Sequence, residues 1–432
     1  MLNKFADLIE QHAKELGELT RITLGAPWGS FGAFEITLCA ETIRYNAGWI
    51  DKFAGESYPQ EDGFMKIVRH EPLGVTAGII PWNGPIGNVG LKAGPALATG
   101  NCFILKPSEK TPFAALALLP LIKEAGFPPG LFQVLSGDGS TGALLASHMR
   151  VRKVSFTGSI PTGKKIQSMA ANSNLKRVTL ELGGKSPAVV FDDCNLDNAV
   201  TWTVNAITGH SGQVCFAASR VYVQEGIYDK FIEKYKTAFA ERTKLIGDPD
   251  DAETMVGPLV DEAQFKRVTG FIERGRDEKQ GTLLYGGAKV GEKGFFVEPT
   301  IFTDVKIDSE IHTSEIFGPV SVVRTFKNEE EVMKMSNETE FGLMAGVFTQ
   351  DINRGLRIAS DFDSGMVGIN CVRTCVWRMW QETTDLLPSQ ISMMFNAAPF
   401  GGTKQSGVGR ESGINALHAF TDTKTIMINL TY

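Results

Sequence analysis

The sequence predicts an α/β protein with a parallel sheet covered on both faces, followed by a second α/β unit. Three observations predict it. From Gly74 onward, short apolar and β-branched runs alternate with helical patterns, the signature of strands joined by helical crossovers. Two glycine-rich turns, 137–142 and 158–163, each leave a strand-like run and open a helical one. A chain of 432 residues is long enough for two or three well-buried cores.

In chain order, Leu2, Phe5, Leu8, Ile9 and Leu16 recur at helical spacing and predict an opening amphipathic helix. A second helix is expected over Glu41 to Ala54, and a short strand over Phe64 to Val68. The run Gly74 to Ile80 reads as a buried strand that stops at Pro81. Further strands are expected at Cys102 to Leu105, Phe132 to Leu135, Val154 to Thr157, Val178 to Leu182 and Ala188 to Phe191. The second series has strands near Arg220 to Val223, Val320 to Thr325 and Met366 to Asn370. No repeat or low-complexity linker separates the halves.

Composition narrows the function. Hydrophobic residues at 43% and charged residues at 21% describe an ordinary globular chain. A net charge of −6 provides no basic field for nucleic acid or an anionic membrane surface. No apolar run reaches the ~18 residues of a membrane span. The six cysteines, at 39, 102, 194, 215, 371 and 375, form no C-x-x-C pair, so neither a metal site nor a disulfide framework is expected. A reducing, cytoplasmic compartment fits them best.

The chemistry gathers around Cys215 in His210-Ser-Gly-Gln-Val-Cys-Phe216. A thiolate attacking a carbonyl needs a base and an oxyanion donor. Glu181, at the end of an apolar strand, and Asn83, in the turn Pro81-Trp-Asn-Gly-Pro85, are candidates for the two roles. Taken singly, each has a plainer reading: a small buried hydrophobe, a salt-bridge partner, a turn residue. His210 is close to the thiol in sequence, and a structural role suits it better than that of a base.

Together, in this order, these residues resemble the aldehyde dehydrogenase superfamily. The resemblance runs through Pro81 to Pro85, Lys106-Pro-Ser-Glu109, Ser155-Phe-Thr-Gly-Ser159, Glu181-Leu-Gly-Gly184, Gly212-Gln-Val-Cys215, Glu315-Ile-Phe-Gly-Pro319 and Pro399-Phe-Gly-Gly402. It implies a Rossmann-type cofactor domain (1–53, 73–183 and 406–420), a catalytic α/β domain (184–405) and oligomerisation strands (54–72 and 421–432). The implied cofactor is NAD, with NADP left open. Pro81, Trp82, Lys106, Ser108, Glu109, Gly158, Ser159, Gly163, Gly183, Glu315 and Phe317 are expected to bind it. A carboxylate at Glu109 accepts from a ribose 2′-OH and repels a 2′-phosphate, so it favours NAD. The 137–142 turn matches G-x-G-x-x-G in form but lacks the acid about 20 residues on that grips the ribose, so it reads as a tight turn only.

The resemblance further implies Cys215 as nucleophile, Asn83 as oxyanion donor, Glu181 as the base for thioester hydrolysis, and an aldehyde as substrate. The product is then a free acid, from a homodimer or homotetramer. Gly84, Leu91, Val214 and Phe216 are expected to line the substrate tunnel, and the small Gly84 and Leu91 suggest room for aromatic or bulky aldehydes. The alternative is a catalytically impaired scaffold that keeps the fold. Esterase action of Cys215 without cofactor is a further rival.

Two departures accompany the resemblance. Family members carry several dozen residues before the point matching Met1, where a targeting segment could lie. Between Asn370 and Pro399 the chain is longer than the family loop, and removing Val372 to Gln390 restores a family-like loop. Valine codons begin GT and glutamine has the codon CAG, the two ends of a spliceosomal intron. This stretch is therefore expected to be an unspliced intron translated in frame, against the alternative of a genuine loop insertion.

Overall fold

The computed structural model describes residues 1–372 and 396–431. The expectation that 372–390 is foreign to the fold lies outside the described residues, except at Val372.

The opening helical pattern resolves into two helices, α1 (Leu2–Gln11) and α2 (Ala13–Leu24). They break at His12, and Leu2, Phe5, Leu8 and Ile9 form the buried face of α1. The next helix differs from expectation. α3 runs from Ala33 to Ala47, starting eight residues before Glu41 and ending before the expected Ala54. Its early turns are apolar on one side, with Ile36, Leu38 and Cys39 buried, and packing on helix Gly87–Ala98 holds them helical. Sequence periodicity is weak there because two faces of α3 are buried.

β1 (Glu56–Glu61) and β2 (Phe64–Pro72) form a hairpin, and β2 also pairs along its length with the last strand. β1 is exposed throughout and carries no alternation, so periodicity could not reveal it. β3 (Val75–Ile79) then enters the first large sheet, followed by α4 (Gly87–Ala98). β4 (Cys102–Lys106), β5 (Phe132–Val134), β6 (Lys153–Thr157) and β7 (Arg177–Glu181) add parallel neighbours in the order β7-β6-β3-β4-β5. The order reverses between β3 and β6, and the crevice at the carboxyl ends of such a pair is where ligands enter open α/β sheets.

The second sheet has seven strands. β8 (Pro187–Val190), β9 (Arg220–Gln224), β10 (Thr282–Tyr285), β11 (Thr300–Thr303), β12 (Val320–Phe326), β13 (Phe341–Gly342), β14 (Met344–Phe348) and β15 (Met366–Ile369) follow in the chain. All but β13 join it, in the order β10-β11-β12-β9-β8-β14-β15, with only β10 antiparallel to its neighbour. β10, β11 and β14 were not among the strands expected from the sequence.

Past the undescribed stretch, β16 (Thr403–Lys404) pairs with β13, and β17 (Gly407–Val408) returns to the first sheet, antiparallel to β7. Helix Gly413–Ala419 leads into β18 (Thr421–Asn429), the other edge of the β1-β2-β18 sheet. Among the described residues, no helix is long and apolar enough to cross a membrane, and no cluster of metal-ligating side chains is gathered.

Candidate active site

A cavity of about 1250 Å³ opens where β3, β4 and β6 end and where the second sheet's loops face them. Cys215 reaches it through an unusual backbone. After helix Leu196–Thr208, His210, Ser211 and Gly212 all take positive φ, which swings the chain sharply. A Cβ on Gly212 would stand 2.2 Å from the carbonyl of Gly318, so only glycine fits. His210 stacks on Phe31 at 3.9 Å, a packing role consistent with its sequence reading. Ser211 Oγ donates to Gly257 O at 2.5 Å.

Gln213 is fully buried and locks the approach to the thiol. Its Oε1 accepts from Val260 N–H at 2.9 Å, and its carbonyl accepts from Asn83 Nδ2 at 2.8 Å. One amide N–H of Asn83 is thereby tied two residues before Cys215, and the side chain keeps a second donor. Asn83 and Gly84 both stand on the cavity wall.

Glu181 closes β7 and is 3% exposed, yet it also lines the cavity. Its Oε1 is buried without a hydrogen-bond partner among the described residues. Burial first, and then the Glu411 carboxylate, push its pKa well above the usual range, against the pull of Lys92 and Arg410. The next residues pack on the nucleophile: a Cβ on Gly184 would lie 2.4 Å from Cys215 O. Burial, followed by Glu181 and Glu315, likewise pushes the half-buried Cys215 thiol well up.

Lys92 and Glu411 went unread in the sequence. Lys92 Nζ donates to Glu411 Oε1 and, at 2.8 Å, to Thr157 Oγ1; Ser155 Oγ donates to the same carboxylate at 3.0 Å. A signal existed for the lysine alone, since it interrupts an otherwise apolar, glycine-rich helix. Glu411 had none, because it meets the site only through the return of the chain at β17.

The cofactor candidates surround the same crevice. Lys106 ends β4 with its side chain buried and donates to Pro107 O at 3.0 Å and Glu109 Oε2 at 3.3 Å. Ser108 and the exposed Glu109 follow on the wall. Past β6, Gly158 and Ser159 lead into helix Ile160–Ala171, whose N-cap Ser159 caps no N–H with its side chain. The first-turn N–H groups are left uncapped by Ser159, and residues 158–162 line the crevice, an arrangement that suits an anion. Gly163 is absent from the wall: it sits one turn inside, packed on Leu182.

On the opposite side, Glu315 accepts from Gly184 N–H at 3.1 Å and fills the space a Gly183 side chain would need. Burial pushes its carboxyl up to about 7, opposed by that N–H, Arg267 and Lys185. Phe317, at φ 63, meets Trp82 edge-on at 5.3 Å, and Pro81 lies beside them. The substrate-tunnel candidates Gly84, Leu91, Val214 and Phe216 also reach the cavity, with Phe216 edge-on to Phe400 at 5.9 Å.

The open space expected beside Gly84 is a correction. A Cβ there would stand 2.9 Å from Asn88 Nδ2 and 3.2 Å from Glu35 Oε1, so polar side chains occupy the room left by the missing aromatic. Sequence could not show this, because Glu35 comes from α3.

A sequence model described as the aldehyde dehydrogenase family matches residues 1–383 and 388–426. An aldehyde dehydrogenase of Agaricus bisporus is 44% identical over 433 residues, covering 100% of this chain and 82% of that relative. The cytosolic aldehyde dehydrogenase 1 of Mus musculus is 41% identical over 434 residues, with the same coverage. Among solved structures, the NAD+ complex of an aldehyde dehydrogenase from Bacillus cereus superposes with a TM-score of 0.92 at 40% identity, covering 100% of this chain and 83% of that one. An NADP-dependent enzyme of Escherichia coli gives 0.91 at 36% identity, covering 99% and 85%.

Proposed function

We propose, from the premise that this chain belongs to the aldehyde dehydrogenase family, that its NAD(P)-dependent oxidation of an aldehyde to the acid proceeds through a thioester on Cys215. The thiolate adds to the aldehyde carbon: a C–S bond forms and the carbonyl oxygen becomes an oxyanion. The free amide N–H of Asn83 and the backbone N–H of Cys215 receive it. Losing one such donor typically costs about 2.7–4 kcal/mol. NAD(P), held by the crevice residues, would supply the acceptor for the hydride, and loss of that hydride from the carbon would leave a thioester on Cys215. Glu181 then removes a proton from a water whose oxygen bonds to the acyl carbon; the C–S bond breaks, the sulfur leaves as the thiolate that began the cycle, the acid departs, and Glu181 passes its proton to solvent.

The observation that carries this reading is Glu181 itself, a buried carboxyl with an unpartnered oxygen on the cavity it shares with Cys215. Its raised proton affinity makes the ionised form a stronger base and a rarer one at neutral pH, so turnover should rise with pH.

The crevice fits the cofactor. Lys106, Ser108 and Glu109 would take the adenosine ribose, and Gly158, Ser159 and the start of helix Ile160–Ala171 the pyrophosphate. Pro81, Trp82, Gly183, Glu315 and Phe317 would frame the nicotinamide side. The exposed carboxylate of Glu109 favours NAD over NADP. Residues 1–53, 73–183 and 406–420 would form the cofactor unit and 184–405 the catalytic one, with the β1-β2-β18 sheet joining subunits into a dimer or tetramer. A cytoplasmic setting suits the free cysteines.

NADH fluorescence over short aliphatic, long aliphatic and aromatic aldehydes tests the activity. Cys215→Ala should abolish turnover while NAD still binds. Glu181→Gln should release a burst of NADH before a slow steady state. Parental steady-state turnover in Glu181→Gln would mean that another group is the base.

A further inference from the structure

α4 begins directly after the turn that carries Asn83, and its N-cap, Ile86, offers no side-chain acceptor for the free N–H groups there. The acceptor comes from another helix. Glu35 of α3 is 3% exposed, and its Oε2 accepts from both Ile86 N–H and Gly87 N–H, at 3.0 Å each. A carboxylate at this end also complements the helix dipole. The turn lies pressed against it. A Cβ on Gly84 would stand 3.2 Å from Glu35 Oε1, and one on Gly87 only 2.7 Å, so both glycines serve this close approach.

Asn83 is thus held from two sides. Its Nδ2 is anchored to Gln213 O at 2.8 Å, and the backbone just beyond it is clamped to α3. We infer that Glu35 is a positioning residue for the oxyanion-binding amide: it fixes the 84–87 turn on α3 and so sets where the Asn83 side chain stands. This rests on the reading of Asn83 as oxyanion donor. The strength of the clamp depends on charge. Burial pushes Glu35 up to about 7, while the Gly87 and Ile86 N–H groups pull it down, so the bonds are charge-assisted only above that pH. Cys39, on the same helix, stays a thiol because burial pushes it far up. α4 faces the carboxylate with N–H groups, glycine and the amide of Asn88.

The test is a double-mutant cycle on the full enzyme. Asn83→Ala should lower kcat about 10²- to 10³-fold. Glu35→Ala should lower kcat at least about tenfold and leave KM for NAD unchanged. In the double variant, the Glu35 change should cost less than about twofold, because the amide it positions is gone. Losses that multiply overturn the inference, as does a Glu35→Ala enzyme with parental kcat. Parental kcat in Asn83→Ala sinks the oxyanion reading itself, and the inference with it. If Glu35→Ala fails to fold, Glu35→Gln keeps the shape and one acceptor. Its kcat should match the parent at pH 6 and fall at least about threefold behind at pH 8, where only the parent carries the charge. A ratio independent of pH would overturn the inference.

Discussion

Lys92 and Glu411 stand 319 residues apart in the chain and meet in a buried ion pair within electrostatic reach of Glu181. The side chain of Lys92 is fully buried and that of Glu411 is 5% exposed, so neither charge has water to fall back on. The two act on Glu181 in opposite senses: the carboxylate raises its proton affinity and the ammonium lowers it.

Removing one partner of this pair should therefore move the acid limb of thioester hydrolysis in a direction set by which partner is lost. Glu411→Gln should shift the limb to lower pH, because Glu181 loses its anionic neighbour. Lys92→Met should shift it to higher pH. Each should also cost about 3–5 kcal/mol of stability, since an unpaired buried charge or its vacated partner remains. Single-turnover deacylation against pH reads the first effect and urea unfolding the second. Limbs that stay put would detach the pair from Glu181.

The Cys215 thiol should show the same coupling. Burial, Glu181 and Glu315 all raise it, so thiolate appears only as pH rises above the ordinary cysteine range. Alkylation by iodoacetamide should accelerate along that limb. In Glu181→Gln the limb should begin at lower pH, because one anionic neighbour is gone. An unchanged profile would show that Glu181 stays neutral throughout the thiol titration.

Gly90→Ala should destabilise the fold without touching the site directly. A Cβ there would stand 2.7 Å from Cys39 O and 2.9 Å from Cys39 Cα, both backbone atoms of α3 that cannot step aside. Overpacking of this kind costs about 1–3 kcal/mol. Thermal unfolding should show a lower Tm. A parental Tm would mean that α3 and α4 can separate at no cost.

The β1-β2-β18 sheet should carry subunit contacts. β18 is an edge strand of nine residues, and Met427 on it is 67% exposed. An open edge bearing exposed apolar side chains is a template for pairing with another chain. Met427→Asp together with Ile428→Asp should shift light-scattering mass towards the monomer. No change in mass would place the interface elsewhere.

Much of this protein was legible in the sequence. Local apolar runs located β3 to β9, β12 and β15, because a buried parallel strand reads as a continuous apolar segment whatever it packs against. Cys215, Glu181 and Asn83, which the fold brings to one cavity, stood out as candidates because each sits in a short motif whose neighbours are next to it in the chain. What the sequence could not decide was which distant side chains meet. Glu35 fills the space beside Gly84, and Lys92 meets Glu411, only because α3 packs on α4 and the chain returns through β17 to β7. Burial decided the rest: nothing in the sequence tells that the carboxyls of Glu35, Glu181 and Glu315 hold a proton more tightly than usual. Loss of water around them is the largest cause at all three, joined at Glu181 by the Glu411 carboxylate.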